Sequence, residues 1–127
     1  MNYRSYIEQV LKLPFVNDEK AADSAIKVVL GILASKLHED EARRLTDVLP
    51  PELNLGTLRG HQQRPIPFTA DEFIEAVATH MHLNHQHASN LIFRVFHCVK
   101  EAREGAEIMD EIRAALPSDW ADVVDRA

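Results

Sequence analysis

The sequence has few of the features that mark secreted, membrane-spanning or disulfide-bonded proteins. Cys98 is the only cysteine, so no disulfide can form within the chain, and a reducing compartment fits. The longest apolar stretch, residues 25–34, contains Lys27 and is too short to cross a bilayer. The first residues lack an apolar run of signal-peptide length. We therefore expect a soluble, cytoplasmic protein.

Aromatic residues and basic charge are also scarce. Aromatic side chains make up only 6% of the chain, so aliphatic side chains must supply most of the core. Lysine and arginine number 14 against 20 aspartates and glutamates, which gives a net charge of −6. A nucleic-acid-binding protein needs a basic face that releases counterions from phosphates, and none is visible. We therefore predict no nucleic-acid partner and no binding to membranes.

Motifs of the familiar enzyme classes are missing from the sequence. It contains no HExxH zinc pattern, no glycine-rich phosphate loop followed by lysine, and no order of serine, histidine and aspartate beyond chance. A nucleophilic cysteine would need an activating partner. Cys98 lies on the apolar side of a predicted helix, so we interpret it as a small buried side chain. The sequence therefore predicts no enzyme and no cofactor.

What the sequence does contain is a long amphipathic helix that occurs twice, at residues 17–37 and again at residues 84–104. Apolar residues recur in both copies at intervals of three and four, which places them on one helical face. In the first copy these residues are Ala22, Ala25, Ile26, Val29, Leu33 and Leu37. In the second copy they are Ala88, Leu91, Ile92, Val95, Val99 and Ala102. Asn17 and Asn84 precede the two stripes, and we predict that each is an N-cap.

Stop and cap signals divide the rest of the chain into shorter helices. Proline lacks a backbone N–H and glycine favours turns, so both predict helix ends. The predicted ends are Pro14, Pro50, Gly105 and Pro117. The acidic cluster 39–41 begins a third helix, and a short fourth helix runs from residue 51 to about residue 55. Thr69 and Glu72 form a predicted capping box, and Ser118 is a further predicted cap.

The second half of the chain repeats the pattern of the first half. After a shift of 67 residues, positions 6–53 align with positions 73–120 without a gap, and apolar residues meet apolar residues. We therefore predict an all-α fold of about eight helices, in which two tandem four-helix units related by a pseudo-two-fold axis pack as one domain. The predicted single domain covers residues 1–127, with unit one at 3–55, a glycine- and proline-containing linker at 56–68, and unit two at 69–125.

The repeated unit resembles a known family. Each copy has tyrosine or phenylalanine followed by Ile-Glu-x-Val, then asparagine with polar or acidic residues, a long alanine-rich helix and a Leu-Pro stop. In this pattern the sequence is similar to the bacterial domain-of-unknown-function 2267 family over residues 6–124. The resemblance implies a tandem helical fold and carries no established activity or catalytic residues. The second unit departs from the pattern, because a histidine cluster replaces the usual short turn.

The histidine cluster is the candidate site that the sequence offers. His80, His82, His85 and His87 lie within eight residues at a predicted helix–turn–helix corner. Neutral imidazole suits Zn²⁺, Ni²⁺ and Cu²⁺, so the four could bind a metal. Two further interpretations stay open: solvated polar side chains at a corner, and a contact that changes with pH. Since His85 and His87 point about 200° apart on a helix, they cannot easily chelate together.

Helical repeats, an acidic surface and the lack of catalytic motifs together indicate a class of function. We predict a non-enzymatic helical interaction or scaffold module that binds a protein partner or associates with itself. The alternative is metal or small-ligand binding at the histidine corner of the second unit or in the groove between the repeats.

Overall fold

A computed structural model describes residues 2–60 and 69–127. Within these ranges the chain forms eight α-helices and one 3₁₀ turn, and it forms no strand, so the predicted all-α fold is confirmed. The elements in chain order are α1 (Tyr3–Leu11), α2 (Glu19–Lys36), α3 (Glu39–Asp47), the 3₁₀ turn (Pro51–Leu53), α4 (Leu55–Arg59), α5 (Ala70–Met81), α6 (His85–Glu101), α7 (Gly105–Ala115) and α8 (Ser118–Arg126). The helix α4 occupies the start of the predicted linker, and residues 61–68 lie outside the described residues.

Two of the predicted N-caps are confirmed by their hydrogen bonds. At the start of α5, the backbone N–H of Glu72 donates to the Thr69 hydroxyl at 3.1 Å, and the backbone N–H of Thr69 donates to the Glu72 carboxylate at 3.1 Å. This is the predicted capping box. At the start of α6, the backbone N–H of His87 donates to the Asn84 side chain at 2.7 Å.

The two other predicted N-caps are wrong by one residue. The cap of α2 is Asp18, whose carboxylate accepts from the backbone N–H of Ala21 at 2.8 Å. An ionised carboxylate is a stronger acceptor than the amide of Asn17, so the helix begins one residue later than predicted. At α8 the cap position is held by Pro117, whose extended backbone leads directly into a helix that begins at Ser118.

The predicted end of the sixth helix at Gly105 is also wrong. The helix α6 ends at Glu101, and Gly105 instead begins α7. Between them the chain turns sharply, with Glu104 in the left-handed region at φ 64°. A Cβ atom at position 105 would lie 1.8 Å from the carbonyl oxygen of Val99, so the close approach of α7 to the end of α6 requires glycine there.

The core is centred on α2, which is buried on every side between residues 28 and 34. It packs against α1, α4, α5 and α6. A second centre lies in the other half, where the ring of Phe73 stacks on Trp120 with centroids 4.7 Å apart and on Phe96 with centroids 6.0 Å apart. Trp120 is fully buried. Aliphatic side chains and three stacked aromatic rings therefore share the interior.

The two halves of the chain share one core. The helix α1 packs on α2 and on α6, α5 packs on α6 and on α2, and α3 packs on α7. These contacts bring the first turns of α1 and α2 together at one place and the first turns of α5 and α6 together at another. The pseudo-two-fold relation between the units stays a prediction at this point.

Candidate functional site

The histidine corner is shaped by the turn between α5 and α6. His82 adopts the left-handed conformation at φ 56°, and its backbone N–H donates to the carbonyls of Ala78 and Thr79, which closes the C-terminus of α5. The chain then passes through Leu83 to the Asn84 cap of α6. Because the turn is this tight, neighbouring histidines leave the corner in different directions.

The structure places the four histidines in three environments. His80 and His82 line a groove of about 350 Å³ together with Asp18 and other residues at the start of α2. His85 has its Nδ1 atom 3.3 Å from a Glu75 carboxylate oxygen. The ring of His87 stacks on Phe15 with centroids 4.3 Å apart and planes 10° apart.

This distribution bears on the predicted metal site. Across residues 2–60 and 69–127, no three histidine, cysteine, aspartate or glutamate side chains come together in an arrangement that could hold a metal ion. His80 and His82 are the two members of the cluster that share a groove. Metal binding at the four histidines stays a prediction, and a site that used all four would need a rearranged corner.

The single cysteine has the surroundings of a structural side chain. Cys98 is fully buried in α6, as predicted. Burial raises the pKa of its thiol from 9.0 to about 11. Since the thiolate is the reactive form, Cys98 is a poor nucleophile near neutral pH.

A groove of about 500 Å³, here called groove one, opens between α1, α2 and the 3₁₀ turn. Its lining residues are Tyr3, Arg4, Ile7, Glu19, Lys20, Asp23 and Glu52. The Tyr3 hydroxyl donates to the Asp23 carboxylate, and partial burial together with this bond raises the pKa of Tyr3. The Arg4 guanidinium lies 2.6 Å from Glu19, and this hydrogen bond raises the pKa of Arg4. Three charged groups of groove one, Arg4, Glu19 and Asp23, therefore have partners within the chain.

A second groove of about 340 Å³, here called groove two, opens between α5, α6 and α8. Its lining residues are Ala70, Asp71, Ile74, His85, Gln86, Ser89, Phe93, Asp119, Asp122, Val123 and Arg126. The Asp119 carboxylate accepts from the backbone N–H of Ala70 at 2.7 Å, which joins the first turns of α8 and α5. Arg126 pairs with Asp122 at 3.1 Å. Three apolar side chains, Ile74, Phe93 and Val123, lie among these polar groups.

The linings of the two grooves correspond under the 67-residue shift of the predicted repeat. Shifted by 67 residues, five of the seven lining residues of groove one become lining residues of groove two. The five pairs are Tyr3 with Ala70, Arg4 with Asp71, Ile7 with Ile74, Glu19 with Gln86, and Glu52 with Asp119. Sequence reasoning missed both grooves, because it followed the apolar stripes. The signal that could have found them is the set of polar positions in the first turns that keep the same spacing in both copies.

The model of a family described as uncharacterized conserved protein, DUF2267, matches residues 3–123. The chain belongs to DUF2267. The resemblance inferred from the repeated pattern is therefore confirmed. No curated protein and no solved structure matches the chain.

Membership of DUF2267 supplies no activity, because the family itself is uncharacterized. Any function of this DUF2267 protein must therefore be argued from its own surfaces. In the part of the chain that the structure describes, none of the helices has the length and apolar character that crossing a membrane requires. The grooves and the histidine corner remain as places where chemistry or binding can occur.

Proposed function

We propose that this DUF2267 protein is a non-catalytic helical binding module that holds a protein partner in grooves one and two. The observation that carries the proposal is the recurrence of one groove at the same place in both halves. Five lining positions keep the same spacing although only one of the five pairs, Ile7 with Ile74, is identical in sequence. Surfaces built on helices hold their geometry more precisely than surfaces built on loops, which suits the recognition of a partner.

The proposal includes a pseudo-two-fold relation between the units, and reciprocal contacts support it. Around a two-fold axis, a contact between residues i and j is matched by a contact between their counterparts. The packing of α1 on α6 is matched by the packing of α5 on α2. Near the axis a residue meets its own counterpart, and Arg44 lies 2.6 Å from Glu111, which is 67 residues away.

A second reciprocal pair lies at the two corners. Phe15 stacks on His87, and the counterparts of these residues are His82 and Lys20. His82 and Lys20 line the same groove of about 350 Å³. His82, a member of the histidine cluster, therefore has the position in unit two that Phe15 has in unit one. Both side chains lie where the corner of one unit faces the long helix of the other unit.

Partner capture with matched variants tests the proposal. We expect the wild-type chain, expressed with a tag in its native host and cross-linked, to recover the same protein reproducibly. Glu52→Arg changes groove one, and Asp71→Arg changes groove two. Asp40→Arg is the control, because Asp40 is exposed at the second position of α3, as Asp71 is in α5, and lines neither groove.

The proposal requires that at least one groove variant lose the partner while the Asp40→Arg control keeps it. Equal recovery by all four chains would show that binding occurs elsewhere, and no reproducible partner in any of them would remove the proposal. Light scattering across a range of concentrations shows whether the partner is a second copy of the same chain. Nucleic acid is not part of the proposal, since the net charge of −6 opposes binding to phosphates.

A further inference from the structure

Groove two carries the opposite charge to groove one at one matched position. In groove one the Arg4 guanidinium lies 2.6 Å from Glu19 and 3.4 Å from Glu8, so the chain places its own cation at the rim. The counterpart of Arg4 in groove two is Asp71. Within residues 2–60 and 69–127, the Asp71 side chain has no ion pair and no hydrogen bond. Groove two therefore has a carboxylate where groove one has a paired cation.

A serine hydroxyl that faces groove two is also part of its lining. Ser89 is only 8% exposed, and its side chain forms no hydrogen bond to any part of the chain that the structure describes. Its counterpart in the first unit is Ala22, which has no polar atom to satisfy. Among the residues described, the Tyr6 hydroxyl is a fully buried side-chain atom without a partner and the Ser89 hydroxyl is not, so the Ser89 hydroxyl is accessible from groove two and can accept a hydrogen bond. In groove two this hydroxyl lies beside the apolar Phe93 on the same helix.

The electrostatic surroundings of groove two are negative. Residues 69–127 contain eleven aspartates and glutamates against five lysines and arginines, whereas residues 2–60 contain nine against eight. The N-terminus of α5 contributes about half a positive elementary charge. Three carboxylates surround that terminus, from Asp71, Glu72 and Asp119. The carboxylates therefore outweigh the helix dipole.

We propose that groove two binds an amphipathic organic cation, namely the lysine or arginine side chain of a partner protein. The cationic head pairs with Asp71 and donates to the Ser89 hydroxyl. The alkyl stem lies against Ile74, Phe93 and Val123. A volume of about 340 Å³ suits one long side chain and its neighbours. This inference rests on the proposed function and adds the chemistry of the partner.

An NMR titration tests the inference with defined probes. The probes are an acetylated and amidated pentapeptide with a central arginine, the same peptide with a central glutamate, and free spermidine. We expect the arginine peptide to shift the backbone amide signals around Asp71 and Ser89 to saturation, and the glutamate peptide to leave them in place. Asp71→Asn should weaken binding by about tenfold, since a charge-assisted hydrogen bond is lost.

Two further variants separate a built site from general charge attraction. Ser89→Ala should weaken binding of the arginine peptide by about threefold while the fold is unchanged, because one hydrogen bond to a neutral acceptor is lost. Asp40→Asn removes the same charge from the same helical position in α3, and it should change the affinity by less than about twofold. Equal weakening by Asp40→Asn and Asp71→Asn would overturn the inference.

The remaining outcomes also decide the matter. If spermidine saturates the same amide signals and the arginine peptide does not, the groove takes a free polyamine and the partner side chain is excluded. If neither cation shifts these signals, the cation site is wrong. The proposed function survives that failure if Asp71→Arg still releases the captured partner, so the two proposals fail separately.

Discussion

The two long helices α2 and α6 carry the same apolar stripe, yet the structure buries them differently. Every residue of α2 between positions 28 and 34 is buried. The corresponding stretch of α6, residues 95–101, includes the exposed His97 and Glu101 and the partly exposed Lys100. The apolar stripe therefore determines which face of each helix is buried. Whether the opposite face is also buried depends on the elements that pack against it.

The element that covers α2 is α4. This short helix contacts α2 more extensively than α8 contacts α6, and its Leu58 is fully buried. On the side of α6, the Lys100 ammonium donates to the carbonyl oxygens of Val124 at 2.5 Å and Ala127 at 3.2 Å. The helix α2 is therefore buried on every side in its central part, whereas α6 keeps a polar side chain, Lys100, that holds the last turn of α8 by hydrogen bonds.

Leu33 in α2 and Lys100 in α6 are counterparts under the 67-residue shift. Substitutions at these two positions should show the largest difference in stability between the two helices. Leu33 is fully buried, and Leu33→Lys would place an ammonium group without a partner in the core. We expect a loss of about 4 kcal/mol or more, which approaches the total stability of many domains. Urea denaturation followed by circular dichroism measures the loss.

The matched substitution in α6, Lys100→Met, is the control for position. It removes the hydrogen bonds of the partly exposed Lys100 ammonium to the backbone oxygens of Val124 and Ala127 and keeps the apolar stem, so we expect a loss of about 1 kcal/mol. A similar loss from both substitutions would mean that α2 is no more central to the core than α6.

The connection before α7 offers the next largest effect. Gly105 begins α7, whereas its counterpart under the 67-residue shift, His38, is the N-cap of α3, and a Cβ atom at position 105 would meet the Val99 carbonyl oxygen at 1.8 Å. Gly105→Ala should therefore cost about 2 to 3 kcal/mol through displaced backbone. His38→Ala should change stability by about 0.5 kcal/mol or less, because His38 is exposed and its backbone N–H keeps the bond to Glu41. Thermal unfolding of both variants would compare the turns, and equal shifts would contradict the close approach.

The pKa of Cys98 predicts how the stability of α6 changes in alkaline solution. The folded protein raises the pKa of this thiol from 9.0 to about 11, so the native state holds the proton more tightly than the unfolded chain does. The stability that this contributes is complete below about pH 9 and is lost as the pH rises through 11. The loss is at most about 2 to 3 kcal/mol.

Urea titrations at pH 8 and pH 10 measure this dependence. Tyr3 and Tyr6 also have raised pKa values and act in the same direction at higher pH, so the comparison must remove Cys98 alone. Cys98→Ala should be less stable than wild type at pH 8 and should lose less stability between pH 8 and pH 10. If Cys98→Ala lost as much stability between pH 8 and pH 10 as the wild type does, a buried thiol at this position would be contradicted.

How much of this architecture the sequence predicts depends on which features are local. The helices, their apolar stripes and the Thr69 capping box follow from spacing and side-chain chemistry within a few residues. The sharp turn at Glu104 does not, because it depends on how closely α7 approaches Val99. The grooves were also missed, since they form where residues from three separate elements meet. The four histidines are near one another in sequence, but the left-handed turn at His82 directs them to different places.

The smallest and most direct comparison exchanges the counterparts Tyr6 and Phe73. Both rings are fully buried, but the Tyr6 hydroxyl is a buried polar atom without a hydrogen-bond partner among the residues described. Tyr6→Phe removes that cost and should raise stability by about 1 kcal/mol, whereas Phe73→Tyr adds a hydroxyl between Trp120 and Phe96 and should lower it by about 1 to 3 kcal/mol. Parallel urea titrations give both signs. Destabilisation by Tyr6→Phe would mean that the hydroxyl has a partner in solution, such as a buried water molecule, and that the α1 side of the core is built around it.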